Sequence, residues 1–231
     1  MSDIRLYHTE KGTGVPFILL HGNGESSEYF GDQIGYFSKM YRVMAVDTRG
    51  HGSSPRGTAP FTLSQFADDL HDLMTENGIS RAHILGFSDG GNIALIFAMR
   101  YPEMVMDLIL NGANLRPSGM TFGVRSEVYM EYALYSFLAL FGGKAGRRKE
   151  MLSLMALQPH ISDADLASVC ARTLIIVGER DMIRASHSRE MAESIPGAEL
   201  KILEGDHFIA SERSREFNEA VSEFMGRGPH G

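Results

Sequence analysis

The 231-residue sequence contains one cysteine, Cys170, and no tryptophan. A single thiol excludes an intramolecular disulfide and any zinc cluster built from cysteines. Positive charge is also in short supply. With 22 Lys+Arg against 29 Asp+Glu, the formal charge is −7, and the electrostatic footprint of a nucleic-acid or anionic-membrane binder is missing. The most apolar stretch, Tyr132 to Phe141, is about half the length a membrane span needs. The opening residues Met1-Ser2-Asp3-Ile4-Arg5 hold charges in place of an apolar h-region, so no secretory signal is expected and a cytoplasmic location is. Internal repeats and low-complexity linkers are lacking too. What remains, 43% hydrophobic and 22% charged residues, suffices for a full core in one large domain.

Short apolar runs alternate with helical patterns, the signature of βαβ units around a parallel sheet. Val15–Leu20, Arg42–Val46, Ala82–Phe87, Asp107–Leu110, Thr173–Val177 and Glu199–Leu203 read as strands covered on both faces. Ile4–Tyr7 alternates and reads as an antiparallel edge strand. Thr62-Leu63-Ser64-Gln65 has the spacing of a capping box, and the helix it opens carries Leu63, Phe66, Leu70, Leu73 and Met74 on one face. Further helices are expected over Asn92–Arg100 and Ser211–Met225. Ala113 to Val169 breaks the alternation, with an aromatic helix at Ser126–Phe141 and a basic turn at Lys144–Lys149. The fold class is therefore α/β: a doubly wound, mostly parallel sheet with helices on both faces and a helical cap insertion. Residues 1–112 and 170–231 form the core, and 113–169 the cap.

Gly86-Phe87-Ser88-Asp89-Gly90 falls where a strand ends and a helix begins. Alone the G-x-S-x-G pattern is weak; in this context it has the form of a nucleophile elbow, with glycines where side chains would collide with strand and helix. His21-Gly22-Asn23-Gly24 follows another strand, and the backbone N–H groups of Asn23 and Asp89 are placed to form an oxyanion hole. A reactive serine needs a base, and the base an orienting acid. Asp181 follows the strand Thr173–Val177, and His207 follows the next. Both lie at carboxyl ends of parallel strands, where open α/β sheets bind ligands. Glu179 and Asp206 are close enough in sequence to compete with Asp181 for the acid's role.

These motifs, with Asp47-Thr48-Arg49-Gly50-His51-Gly52-Ser53-Ser54 and Gly205-Asp206-His207-Phe208, give the chain a resemblance to the α/β-hydrolase superfamily over nearly its whole length. The resemblance implies a Ser-His-Asp hydrolase with a cap over its pocket. That family carries the acid after one of two strands; the earlier position here is Asn111, which leaves Asp181. Only about 14 residues precede Val15, too few for the family's first antiparallel strand. His51 resembles a structural family feature, and His8, His71, His83, His160, His187 and His230 have no ligand-spaced partner, so no metal is expected.

No cofactor is expected either. Gly86-x-Ser88-x-x-Gly91 departs from a dinucleotide fingerprint at its middle position, and Gly143-Lys144 is followed by Ala145 where a P-loop needs Ser or Thr. Most of Met120, Tyr129, Met130, Tyr132, Tyr135, Phe137, Phe141, Met151 and Met155 are expected to pack the cap onto the core, with two or three facing Ser88. The basic run Lys144, Arg147, Arg148 and Lys149 reads as a solvated face. The expected activity is hydrolysis of a small carboxylic ester or lactone through an acyl-enzyme. The expected partner is thus a small-molecule acyl substrate, with no nucleic acid and no membrane; spacing is silent on oligomeric state. The same triad serves C–C bond hydrolases, thioesterases and acyltransferases, and a non-catalytic ligand-binding receptor on the same fold is the alternative from another class.

Overall fold

In the computed structural model, which describes residues 3–226, seven strands form one sheet in the order β1-β3-β2-β4-β5-β6-β7. The strands are His8–Lys11 (β1), Pro16–Leu20 (β2), Arg42–Val46 (β3), Ala82–Phe87 (β4), Val105–Asn111 (β5), Arg172–Gly178 (β6) and Glu199–Leu203 (β7). β1 pairs antiparallel with β3, and the other pairings are parallel. The helices are Gly31–Phe37 (α1), Leu63–Glu76 (α2), Asp89–Arg100 (α3), Phe122–Leu138 (α4), Ala145–Leu157 (α5), Asp163–Leu166 (α6), Ala185–Ser194 (α7), Ile209–Glu212 (α8) and Ser214–Gly226 (α9).

Because side chains alternate across a sheet, the central strands feed two separate cores. Phe17, Leu19, Val43, Ala45, Leu85, Ile109 and Ile176 meet Phe37 of α1 and Phe217, Val221 and Phe224 of α9. Ile18, Leu20, Met44, Ile84, Leu108, Leu110 and Val177 meet Leu63, Phe66 and Leu70 of α2, Ile93 and Phe97 of α3, and Met191 of α7. Helices therefore cover both faces, which is why these strands read as near-continuous apolar runs.

The edge strand is displaced from its expected place. Ile4–Tyr7 does not pair as a strand; the ladder runs from His8 to Lys11 against Val43–Val46. Its residues are polar and mostly exposed, so burial leaves no apolar signal there. The Thr62 hydroxyl does cap α2 by accepting the Gln65 N–H, but the Gln65 side chain donates to Asp69 Oδ1 instead of reaching back. Only half of the expected box forms. The basic run expected as a turn lies in α5, and the last helix is broken at Arg213 into α8 and α9.

Between β5 and β6 the chain makes a helical excursion. Leu115, Ile161, Leu166 and Val169 sit in the main core, so the flanks of this segment are wired into the sheet's own packing, while α4 and α5 pair with each other above it. The start of α4 is fastened to the loop after β6: Thr121 N–H donates to the Met182 carbonyl at 2.8 Å, and Met120 bridges Ile183. α5 is fastened to the other side by the Arg56–Glu150 ion pair at 2.6 Å and by Arg147 donating to the Gly50 carbonyl. Val128 turns inward with Val124 and Tyr132. Met130, Phe137 and Phe141 face out and are more than half exposed, so the expectation that most of the cap's aromatic and methionine side chains pack on the core fails for these. An α-helix two layers from the sheet has only one face to bury. No helix among the described residues is long and apolar enough to cross a membrane.

Candidate active site

Parallel register brings four loops to one edge. Leu20 pairs with Gly86, Phe87 with Asn111, Asn111 with Ile176, and Gly178 with Leu203. The residues that follow these strand ends, His21–Asn23, Ser88, Asp181 and His207, therefore emerge side by side. β2 lies between β3 and β4, so the chain reverses its direction of winding at β2 and β4, where open α/β sheets leave a crevice.

Ser88 is the one non-glycine residue among those described with positive φ, at 54°. The turn that imposes it is crowded: a Cβ on Gly86 would lie 2.2 Å from the Gly90 carbonyl oxygen, and one on Gly90 would lie 2.0 Å from that of Leu20. The Ser88 N–H donates to the Asn111 carbonyl at 2.8 Å, which fixes the residue against β5 and leaves its hydroxyl at the carboxyl edge. Backbone held in such a region stores about 1–3 kcal/mol and persists only where the surroundings over-determine it.

The structure brings Ser88, His207 and Asp181 into one chain of contacts. His207 Nε2 is 3.0 Å from Ser88 Oγ, and His207 Nδ1–H donates to Asp181 Oδ1 at 2.7 Å. Asp181 Oδ1 also accepts the Ile183 N–H at 2.8 Å, so the carboxylate is oriented from its own loop. Both side chains are buried, with His207 against the rings of Phe87 and Phe208. The competing carboxylates are engaged elsewhere: Glu179 pairs with Arg180, and Asp206 accepts the Phe208 N–H at 2.8 Å. Asn111 is buried and donates to the Ile176 carbonyl at 3.1 Å.

Asn23 and Asp89, expected to supply backbone donors, are also joined through their side chains. Asn23 Nδ2 donates to Asp89 Oδ2 and to the Met151 carbonyl of α5, both at 2.8 Å. Asn92 Nδ2 reaches the other Asp89 oxygen at 3.3 Å. One amide thus ties the loop after β2 to the elbow and to α5, a link that the linear pattern gave no sign of. Burial pushes the Asp89 carboxyl upward in pKa, opposed by these two amide donors.

The loops around the donors rest on polar groups that do not face Ser88. Asp47 accepts the Ser27 and Ser53 N–H groups at 2.7 Å each. His51 lies within 3.1 Å of the Thr48 hydroxyl and the Arg49 carbonyl, a structural placement. His21 Nδ1–H donates to the Gly22 carbonyl at 2.7 Å, and Nε2 accepts the Thr48 N–H at 3.0 Å. That tautomer has no room for a second proton, and burial lowers the His21 pKa to about 4. An unfolded histidine takes up its proton near pH 6.5, so stability present above that pH is lost as pH falls from ~6.5 to ~4, by about 3 kcal/mol in all. Urea unfolding at pH 7 and pH 4.5 checks this: His21→Gln is expected to be less stable at pH 7 and to lose less stability on acidification than the parent chain.

A cavity of about 100 Å³ opens beside Ser88 and His207, walled by Gly22, Asn23, Glu25, Phe87, Met155, Met182 and Phe208. Of the methionines and aromatics expected in the cap, Met155 alone lines it. Met182 and Glu25 were not anticipated. Each follows a motif residue closely in sequence, and only the turn geometry aims it inward.

Comparison with known proteins agrees with this architecture. A family model described as the alpha/beta hydrolase fold matches residues 15–127. A putative carbamate hydrolase from a Caulobacter species is 28% identical over 255 residues, covering 95% of each chain. The human serine hydrolase BPHL is 28% identical over 247 residues, covering 97% of this chain and 84% of that protein. Among solved structures, a meta-cleavage product hydrolase from Pseudomonas fluorescens superposes with a TM-score of 0.78 at 25% identity, over 97% of this chain and 95% of that one.

Proposed function

We propose that this chain, which belongs to the α/β-hydrolase superfamily, is a serine hydrolase that cleaves a small carboxylic ester or lactone through an acyl-enzyme. The observation that carries the reading is the unbroken path from Ser88 Oγ through the His207 imidazole to Asp181, at 3.0 and 2.7 Å. His207 takes the Ser88 proton as the hydroxyl oxygen attacks the substrate carbonyl. The carbonyl π electrons move to oxygen, and the backbone N–H groups of Asn23 and Asp89 receive that charge. Asp181 holds the imidazole with Nδ1 protonated and stabilises the imidazolium. His207 then protonates the leaving alcohol, and the acyl-enzyme forms. Water, deprotonated by the same imidazole, attacks in turn and releases the acid and Ser88.

The relatives' names are consistent with acyl-type hydrolysis in general: one is a putative carbamate hydrolase, another a serine hydrolase. The likeness to a meta-cleavage product hydrolase keeps carbon–carbon bond hydrolysis as a second reading. A cavity of about 100 Å³ lies well below the ~300–1,000 Å³ of ordinary ligand pockets, and favours a short acyl group over a bulky one. The test is a panel of p-nitrophenyl esters of increasing acyl length, run beside thioesters, lactones, carbamates and vinylogous diketones. Acetate or propionate esters are expected to turn over fastest, with a burst of p-nitrophenol and no dependence on added alcohol as acceptor. Cleavage confined to diketones would replace the reading with the second one.

A further inference from the structure

We propose that Glu25 makes this cavity selective for short acyl groups that carry a hydrogen-bond donor, a hydroxyl or an ammonium, on the acyl chain. The proposal rests on the reading of Ser88 as nucleophile and narrows its substrate class. Glu25 belongs to the same cavity as Ser88 and His207, whose wall also holds Gly22, Asn23 and the apolar side chains of Phe87, Met155, Met182 and Phe208. One carboxylate oxygen, Oε2, is held by the Gly22 N–H at 3.0 Å, which fixes the direction of the group. No Lys or Arg among the described residues pairs with Glu25, although many other carboxylates of this acidic chain find such a partner.

Glu25 is partly buried, and a ligand that displaces the water at its second oxygen exacts a cost unless it donates there itself. Burial does push the Glu25 pKa upward, against the Gly22 N–H and the neighbouring imidazole. The cavity holds about three waters' volume, so any acyl chain that enters it must touch the carboxyl. A plain alkyl chain strips water from Glu25 and returns nothing. A chain with a hydroxyl or ammonium restores the lost bond, and an anionic chain meets repulsion from both the carboxylate and the developing oxyanion. Sites that bond a substrate donor discriminate strongly against the analogue without it.

The experiment compares methyl propionate, methyl glycolate, glycine methyl ester and monomethyl succinate by pH-stat, in the parent chain and in Glu25→Gln. The glutamine keeps the side-chain shape and an oxygen for the Gly22 N–H, so a purely structural role leaves the substrate ratios unmoved. Expected in the parent is a kcat/KM at least tenfold higher for the glycolate or glycine ester than for the propionate, with the succinate poorest. In Glu25→Gln the glycine preference is expected to fall at least tenfold, mainly through KM. The glycolate preference should fall less, because an amide oxygen still accepts from a hydroxyl. A parent that prefers propionate, unchanged ratios in Glu25→Gln, or turnover confined to longer acyl esters would each overturn the proposal. Fluorophosphonate labelling separates the two levels: a labelled Ser88 with unmoved ratios removes Glu25's role alone, whereas an unlabelled Ser88 without ester turnover removes the nucleophile assignment.

Discussion

Ser88→Ala is expected to reduce ester turnover by 10⁴-fold or more and to abolish covalent labelling by a fluorophosphonate, while leaving the thermal transition in place. On the proposed reading the magnitude follows from a triad's behaviour as a unit: loss of the nucleophile removes the attacking oxygen, and only binding and the oxyanion donors remain to lower the barrier. Stability should hold because the hydroxyl's one close contact is the 3.0 Å approach of His207, and alanine adopts the same strained backbone. Ser88→Gly separates chemistry from strain. It is equally inactive, yet relief of φ 54°, worth about 1–3 kcal/mol, exceeds or balances the ~0.5–1 kcal/mol entropic penalty of glycine. The glycine variant should therefore melt at or above the parent's temperature. Undiminished hydrolysis in the alanine variant would eliminate Ser88 as nucleophile.

Asp181→Asn is expected to lower kcat by about 10⁴ at neutral pH. Asp181 Oδ1 accepts from both His207 Nδ1–H and the Ile183 N–H. An asparagine with its oxygen in that place keeps both bonds but loses the negative charge that stabilises the imidazolium, and one with its amide nitrogen there favours the tautomer with Nε2 protonated, which cannot accept the Ser88 proton. The geometry survives while the base is disabled, so the fluorophosphonate labelling rate should fall in step with kcat. Asp206→Asn and Glu179→Gln are the controls, since those carboxylates face their own loop and Arg180 and should leave labelling nearly intact. A collapse in Asp206→Asn with Asp181→Asn still active would move the acid's role to Asp206.

How far the sequence speaks for the fold depends on which residues the sheet buries on both sides. Runs such as Phe17–Leu20 and Ile84–Phe87 face two cores at once, so their apolar character survives in every register, and the central strands stand out. The edge strand His8–Lys11 is polar and half-solvated, and no periodicity marks it. α5 hides for a different reason: its first turns, Ala145 to Glu150, are rich in charged helix formers, a composition shared by solvated turns and helices. For the candidate site, the order Ser88, Asp181, His207 and the strand-end placement of each were legible because the motifs are local. The Asn23–Asp89 tie spans 66 residues, and the aim of Glu25 depends on one backbone N–H. Linear spacing contains neither.

The fastening of α4 to the loop after β6 bears on loop exchange between members of the superfamily. Thr121 and Met120 grip Met182 and Ile183, the two residues immediately beyond Asp181, and Leu115 and Ile161 are embedded in the main core. The transplantable cassette is consequently 122–157. A graft cut at 113 and 169 would carry away a buttress of Asp181 together with the roof, and a chimera of that kind would fail through a misaligned imidazole even when the new roof fits its substrate.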